Sequence, residues 1–448
     1  MSSLPESQSL PSAFEAFGLR SSQLLNWISP LPDWSFSTDS RHLKPGGWFL
    51  ALQGEIFDGH QFCRQALEAG ARGLILSQRL DDYPCPTIVV EDTLYAYQAI
   101  AQAQRRSLNP LVVGITGSNG KTTTKELASL VLAQKYRVSA TSANENNEIG
   151  VPKSILEADP EAGLLVLEMG MRGLGQIAEL VKIAEPTHTI ITSIGTAHIG
   201  LLGSKEGIAQ AKSEIFRTAK SPQITFLPFD EPLLKPWIAQ KPDFVQVRFF
   251  GNYKIQSRYG GCSRFYYRNE LYELRTLHQG IVQNVCAVID LALELELSPD
   301  QIQAGLHLFK PPAGRGLWHQ LSSGAFLIDD SYNANPDSVV ALAQSLADQS
   351  GFKLLVLGEI AELGDLSEVL LTKLGADLRE LVDLVLLVGT KLSPLSKALL
   401  DKAQTCENID QAHEIILRQI EKKAPELIIA VKGSRVAKLD QLAARLID

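Results

Sequence analysis

Residues 114–126, GITGSNGKTTTKE, carry the end of an apolar run, LVVGIT, into a stretch of helical pattern, KTTTKELASLVLAQ. The common phosphate-loop pattern, G-x-x-x-x-G-K-[ST], asks for a glycine five residues before Gly120, where this chain has Ile115. The physical requirements are nonetheless met. LVVGIT reads as a buried strand, GSNG as a turn rich in residues that tolerate positive φ, and Lys121 and Thr122 fall in the first turn of a helix. Glycines let backbone N–H groups point into such a turn, and the helix N-terminus favours an anion. Lys121 can reach the β and γ phosphates, and the Thr122 hydroxyl suits Mg²⁺. Thr116, Gly117, Ser118, Asn119, Gly120 and Thr123 complete the candidate nucleotide loop.

Outward from this loop the chain falls into three blocks. The pattern after Leu111 alternates apolar strands (LVVGIT, LLVLEMG, THTIITSIG) with amphipathic helices. A strand-rich stretch follows at FVQVRFFGNYKIQSRYGGCSRFYYRNELYEL, then a helix from about Asn284 to Glu296 and a Pro/Gly hinge, KPPAGRG. Beyond the hinge the alternation resumes with FLIDD, KLLVLGE, LVLLVG and LIIAVKG. Near-continuous apolar strands separated by helices predict parallel sheets covered on both faces. Before the loop, STDSRHLKPGGWFLALQGEIFDGHQF shows short strands and turns, CRQALEAGARGLILS a helix and strand, and QAQRRSLNP a polar connector. The reading is a three-domain α/β protein with boundaries at 1–108, 109–313 and 314–448.

Composition narrows the setting. A chain of 448 residues, 45% hydrophobic and 21% charged, is ordinary for a soluble protein and too long for one core. It has no uncharged apolar run long enough to span a bilayer, and MSSLPESQSLPSAF lacks the basic start and apolar core of an export signal, so a cytoplasmic protein is expected. Five scattered cysteines (Cys63, Cys85, Cys262, Cys286, Cys406) show no metal-ligand spacing and read as structural thiols in a reducing compartment. A net charge of -8 without a long basic run argues against a nucleic-acid partner. An anionic ligand must therefore be held by local devices.

Two of these devices lie at strand ends. Glu168 closes the run LLVL, at the C-terminal edge of a parallel strand where ligands bind in open α/β sheets, and its hard oxygen suits Mg²⁺. His198 follows the strand TIITSIG at the same edge, where it reads either as an ordinary loop histidine or as a second metal ligand or phosphate contact. Arg315, taken alone, reads as a side chain that snorkels at the hinge. DDSYNANPDS holds ordinary turn formers and an N-cap, Asp39 and Arg41 make a turn with a surface ion pair, and the charges of EIAEL read as a solvated helix start.

Taken in order, these segments resemble the Mur ligases, ATP-dependent amide-bond ligases of peptidoglycan synthesis, whose short loop T-G-x-x-G-K-[ST] is matched by TGSNGKTT. The resemblance covers the whole chain and accounts for the missing glycine. TSANENNEIGVP, DDSYNANPDS, LGEIAELG and VKGSR look like the branch that joins D-alanyl-D-alanine to UDP-N-acetylmuramoyl-tripeptide. The signatures of the branch that completes the tripeptide, DYAHTPDS and DNPR, do not occur.

The resemblance implies a small UDP-binding α/β domain, a central ATPase domain on a parallel sheet with the phosphate loop, and a C-terminal Rossmann-like domain, in a protein that works as a monomer. It implies that ATP and Mg²⁺ are held by Lys121, Thr122, Glu168 and His198, with Lys212 of AKSEIF as a carbamylated lysine at the metal. Asn284 would lie near adenine, Arg315 near the γ-phosphate, and Asp330 would reach the nucleotide from the third domain. Substrate contacts fall on Ser40, Arg41, Asp58 and His60 in the first block and on Asn144, Asn146 and Asn147 in the Asn-rich loop. Asn333, Asn335, Ser434 and Arg435 supply those of the third block. Gly280 and Ile281 stand where the family usually has His-Asn, Leu371 where a histidine is common, and RVAKLD where methionines usually follow. A nucleotide-driven switch is the reading from another class, but it would not need the second α/β block. Folylpolyglutamate synthetase, cyanophycin synthetase and the tripeptide-forming branch are the nearer enzyme alternatives.

Overall fold

The computed structural model describes residues 15–19, 35–54, 57–78, 83–142, 144–259 and 261–447. The stretch read for an export signal, residues 1–14, lies outside these, as do residues 55–56 of the first block and 143 of the Asn-rich loop. Among the described residues no helix is long and apolar enough to cross a membrane.

The first block forms a five-stranded sheet from β1 (Glu15–Leu19), β2 (Phe36–Ser37), β3 (Trp48–Leu50), β4 (Gly73–Leu76) and β5 (Thr87–Val90), in the order β1-β5-β4-β3-β2. All its strand pairs are parallel. The connector reads differently in the structure. QAQRRSLNP is the end of a helix, Thr93–Leu108, closed by Asn109 in the left-handed conformation. Its Arg105 donates to the carbonyls of Ala184 and Glu185, which fastens the first block to the second.

The central sheet contains β6 (Leu111–Thr116), β7 (Val138–Ala140), β8 (Leu164–Glu168), β9 (His188–Ile191), β10 (Gln223–Pro228) and β11 (Val245–Phe250), ordered β11-β10-β9-β6-β8-β7. Its pairs are parallel throughout. β8 is buried at every position because helices cover both faces, which explains its unbroken apolar run. From β6 the chain runs outward to β7 and returns through β8 before crossing to β9, so the loop after β6 opens at the sheet's switch point. The strand-rich stretch supplies β11 and a separate antiparallel sheet of β12 (Lys254–Tyr259), β13 (Cys262–Tyr267) and β14 (Glu270–Leu274). The helix after it runs Gln279–Glu294.

The third block is a six-stranded sheet of β15 (Leu317–Gln320), β16 (Phe326–Asp330), β17 (Phe352–Gly358), β18 (Leu384–Val388), β19 (Ala403–Cys406) and β20 (Leu427–Lys432), ordered β15-β16-β20-β17-β18-β19. Only β15, at the edge, is antiparallel to its neighbour. One apolar cluster includes Ile194 and Ile199 of the central block together with Ile360 and Leu363 of the third, so the two blocks share buried surface. Leu371 belongs to that cluster. The position where the resemblance leads one to expect a histidine is thus a core side chain in the helix Ser367–Arg379.

Candidate active site

The C-terminal ends of the central and third sheets face each other across a cleft of about 1060 Å³. Its volume lies at the top of the range for small-molecule pockets, which leaves room for a nucleotide beside a second substrate.

The phosphate loop forms the floor. Gly117 and Gly120 take φ of 152° and 79°, which leave backbone N–H groups free of the usual strand and helix directions. Neither position has room for a side chain, since a Cβ at Gly117 would stand 1.8 Å from Thr192 Oγ1 and one at Gly120 would stand 2.0 Å from Asn284 Nδ2. Asn284 is thereby packed directly against the loop. Lys121 folds over the turn and donates to the Gly117 carbonyl at 2.8 Å. Burial holds its pKa below the ordinary lysine value, with the nearby Arg315 charge acting in the same direction and Glu168 opposing. Ser118, Asn119, Thr122 and Thr123 line the cleft. Thr116 lies beneath it, fully buried, and its hydroxyl lacks a hydrogen-bond partner.

Glu168 emerges from β8 as expected of its strand-end position. Thr122 Oγ1 donates to Glu168 Oε2 at 2.7 Å and Asn146 Nδ2 to Glu168 Oε1 at 2.7 Å. The Asn-rich loop therefore serves the acidic side of the site. Asn144 and Asn147 stand on the cleft wall, and Asn147 Oδ1 also accepts from Gly150 N at the start of the next helix, at 2.9 Å. His198 sits at φ 64°, with Nδ1 2.7 Å from Glu362 Oε2, close enough for an ion pair but without hydrogen-bond direction. Burial lowers the His198 pKa; Lys121 and Lys212 reinforce this, and Glu362 opposes it. Lys212, in the helix Lys205–Arg217, is 1% exposed, and burial with the Lys121 charge holds its pKa well below the usual lysine range.

Among the described residues no three His, Cys, Asp or Glu side chains are gathered as a metal cage. The Thr122 hydroxyl and Glu168 carboxylate are hard oxygen donors at the phosphate loop, and this sparse set fits Mg²⁺, which is commonly held by one or two carboxylates together with phosphate oxygens and water.

The opposite wall comes from the third sheet. Asp330, at the end of β16, is paired with the buried Lys432, which also donates to the Asn333 carbonyl at 3.0 Å. Arg315 lies over the Tyr332 ring at 4.0 Å and Arg435 over the same ring at 5.8 Å. Asn335 caps the helix Pro336–Ala347 and exchanges hydrogen bonds with Asn119 across the cleft, its Nδ2 donating at 2.6 Å. Ser434 is turned to structure, donating from Oγ to the Glu359 carbonyl. EIAEL is a loop rather than a helix start, because the following helix begins only at Ser367, and Glu362 faces His198 while Glu359 pairs with Lys391. His278 caps the helix bearing Asn284, its Nδ1 accepting from Gly280 N at 3.1 Å.

The first-block candidates stand apart from this cleft. Arg41 is exposed and held by Asp39, which its guanidinium keeps well below the usual carboxylate range. Ser40 Oγ donates to Gln65 at 2.9 Å. Asp58 and His60 pair at 2.6 Å, and His60 Nε2 accepts from Ser77 N at 3.0 Å. The five cysteines are free thiols. Burial pushes Cys63 up to about 11, as suits a packing residue.

Tyr332, Asp337, Glu362 and Lys432 are the residues that sequence reasoning passed over. For Tyr332, Asp337 and Lys432 the available signal was proximity to Asp330, Asn335 or Arg435, whereas Glu362 lies in LGEIAELG, where its charge reads as part of a solvated helix start.

A phosphate loop at the switch point of one sheet, facing a second α/β sheet that supplies cations to the same cleft, is the layout of a two-substrate ATP-dependent ligase. The Mur ligase middle domain matches residues 115–289, and the Mur ligase glutamate ligase domain matches residues 314–435. The UDP-N-acetylmuramoyl-tripeptide–D-alanyl-D-alanine ligase of Bacillus subtilis is 33% identical, over 92% of this chain and 93% of its own. The structure of MurF from Acinetobacter baumannii superposes with a TM-score of 0.84 at 32% identity, covering 92% of this chain and 93% of that one. MurF from Thermotoga maritima, solved in complex with ADP, gives 0.83 at 26% identity, over 92% and 96%. The chain belongs to the Mur ligase family, in its UDP-N-acetylmuramoyl-tripeptide–D-alanyl-D-alanine ligase (MurF) branch.

Proposed function

We propose that this enzyme joins D-alanyl-D-alanine to the terminal carboxylate of UDP-N-acetylmuramoyl-tripeptide, with ATP converted to ADP and phosphate, as a monomer in the cytoplasm. The observation that carries the reading is one cleft flanked by the phosphate loop on one side and by Arg315, Asp330 and Arg435 on the other. Residues 1–108 would hold the UDP moiety through Ser40, Arg41, Asp58 and His60, 109–313 the ATP, and 314–448 the closing wall.

A carboxylate is a poor electrophile, so its oxygen first attacks the γ-phosphorus and ADP leaves, giving an acyl phosphate. Lys121 and Arg315 offset charge on the transferring group from opposite walls. The amine of D-alanyl-D-alanine then attacks the carbonyl carbon, and the tetrahedral intermediate collapses to the amide with loss of phosphate and of the amine proton. Mg²⁺, held by Thr122 and Glu168 and with His198 and a carbamylated Lys212 as further ligands, would neutralise phosphate charge. Asn284 would bound the adenine side, while Asn144, Asn146, Asn147 and Asn333 would position the peptide. Burial shifts Lys212 toward the neutral amine, the form that reacts with CO₂, and this supports the carbamate reading.

The test is ATP consumption with UDP-N-acetylmuramoyl-tripeptide, with and without D-alanyl-D-alanine. Stoichiometric ADP and pentapeptide product are expected only with both. ATP turnover indifferent to D-alanyl-D-alanine, with no amide product, would refute the reading.

A further inference from the structure

Two guanidiniums sharing one aromatic ring need explaining, because like charges repel. Arg315 and Arg435 both lie over Tyr332, at 4.0 and 5.8 Å from its centroid, within about one Debye length of each other. Among the described residues no carboxylate is paired with either. The two carboxylates nearest Tyr332 in sequence are engaged elsewhere, Asp330 with Lys432 and Asp329 with Gly314 N at 3.0 Å and Ser331. The ring itself is held firmly. Tyr332 N donates to the Gly314 carbonyl at 3.0 Å, and Gly314 takes φ 70° with a Cβ position only 3.2 Å from the Tyr332 Cβ. The hinge that carries Arg315 and the loop that carries Tyr332 are thus laced together, and Arg435 reaches the same ring from the end of β20.

We propose that Tyr332 is a positioning residue that holds Arg315 and Arg435 as one clamp on the transferring phosphoryl group. The electron-rich ring face orients both cations and moderates their repulsion, leaving their N–H forks free for phosphate oxygens. All three residues line the cleft wall opposite Lys121, and the Arg315 charge is felt at Lys121 across it. This assignment rests on the ligase reading above, and one of its tests does not need ligation.

Tyr332→Phe, Tyr332→Leu, Arg435→Met and the double variant Tyr332→Leu/Arg435→Met are compared in the full chain. The phenylalanine variant should stay within about 2-fold of the parent. The leucine variant should lose on the order of 10-fold in kcat, the size expected when a charge-stabilising group is kept but misaimed, with KM for D-alanyl-D-alanine and the thermal midpoint unchanged. The double variant should be worse than Arg435→Met, because Arg315 is then released as well, but by less than the product of the two single effects, since ring and arginines act as one unit. Independently of any ligation, calorimetric titration should show the preference for ATP over ADP reduced in the leucine variant and retained in the phenylalanine variant. A parent that binds ATP but forms no amide would overturn the ligase reading, and the ATP-over-ADP preference would still decide the clamp. Leucine and phenylalanine variants that behave alike, in either direction, or single effects that multiply in the double variant, would overturn it.

Discussion

Removing the Asp337 carboxylate should loosen the docking of the third domain on the central one. Asp337 stands in the first turn of the helix Pro336–Ala347 and reaches across the boundary, accepting from Thr196 N at 2.6 Å and from Thr196 Oγ1 and pairing with Lys205 Nζ at 2.7 Å. Burial alone would raise its pKa, but Lys205 and Thr196 more than offset this and hold it below the usual carboxylate value. Hydrogen bonds to a charged acceptor contribute about 1.5–3 kcal/mol. The Lys205 pair adds at most about 1 kcal/mol because both side chains are more than a third exposed or close to it. Asp337→Ala should therefore weaken docking by about 2–3 kcal/mol, a factor of about 30 to 150 in the docked-to-undocked ratio. Other contacts across the boundary, among them Gly200 N to the Glu362 carbonyl at 3.0 Å, the Asn119–Asn335 pair, Arg258–Asp348 and the shared apolar cluster, oppose full release. Solution scattering with and without ATP and tripeptide substrate is the assay. The variant should show a larger radius of gyration than the parent, closed only in part by ligands, and a lower kcat/KM. Superimposable scattering curves together with unchanged kinetics would refute the docking role.

Lys121→Ala should lower turnover on the order of 10²-fold or more with the thermal midpoint preserved, and near-parental rates at saturating ATP would count against its phosphate role. Lys212→Ala should lose about 10- to 100-fold, as for a group that orients a metal, with partial rescue by acetate; full activity of the variant would remove Lys212 from the site. His188 is buried and its pKa is lowered to about 4, so between pH 6.5 and 4 the unfolded chain binds the extra proton and stability falls as pH falls. At pH 5 the loss is about 2 kcal/mol. His188→Gln should shed that part of the acid dependence, read from denaturant midpoints at pH 7.5 and 5, and an unchanged pH slope would show the assignment wrong.

The central half of the site was legible because its signals are local. An apolar strand ending at Thr116, two glycines able to take positive φ, and Lys-Thr at a helix start lie within one short segment, and Glu168 is marked by the strand it terminates. Pairings across domains leave no such trace. His198 meets Glu362 only because two separately folded sheets dock, and Glu362 sits among charges that resemble a helix start until Gly364, at φ 56°, keeps the chain in a turn. Asn335 illustrates the ambiguity, since the same residue is the N-cap of its helix and the partner of Asn119. Propensity accounts for the first role and is silent on the second.

The stretch from Asp330 to Asp337 joins these two levels. Its first residue is set by Lys432 at the cleft wall, Tyr332 carries both arginines, Asn335 touches the phosphate loop, and Asp337 grips Thr196 and Lys205 beyond it. Eight residues thus span from ligand wall to docking contact, and the helix cap at Asn335 leaves little slack between them. A shift of the third domain cannot leave the Arg315–Tyr332–Arg435 group in place relative to Lys121, because loop and domain move together. On the proposed clamp, placement of positive charge at the γ-phosphate and closure of the cleft are therefore one event. Loosening Asp337 should depress turnover even when ATP still binds to the central loop.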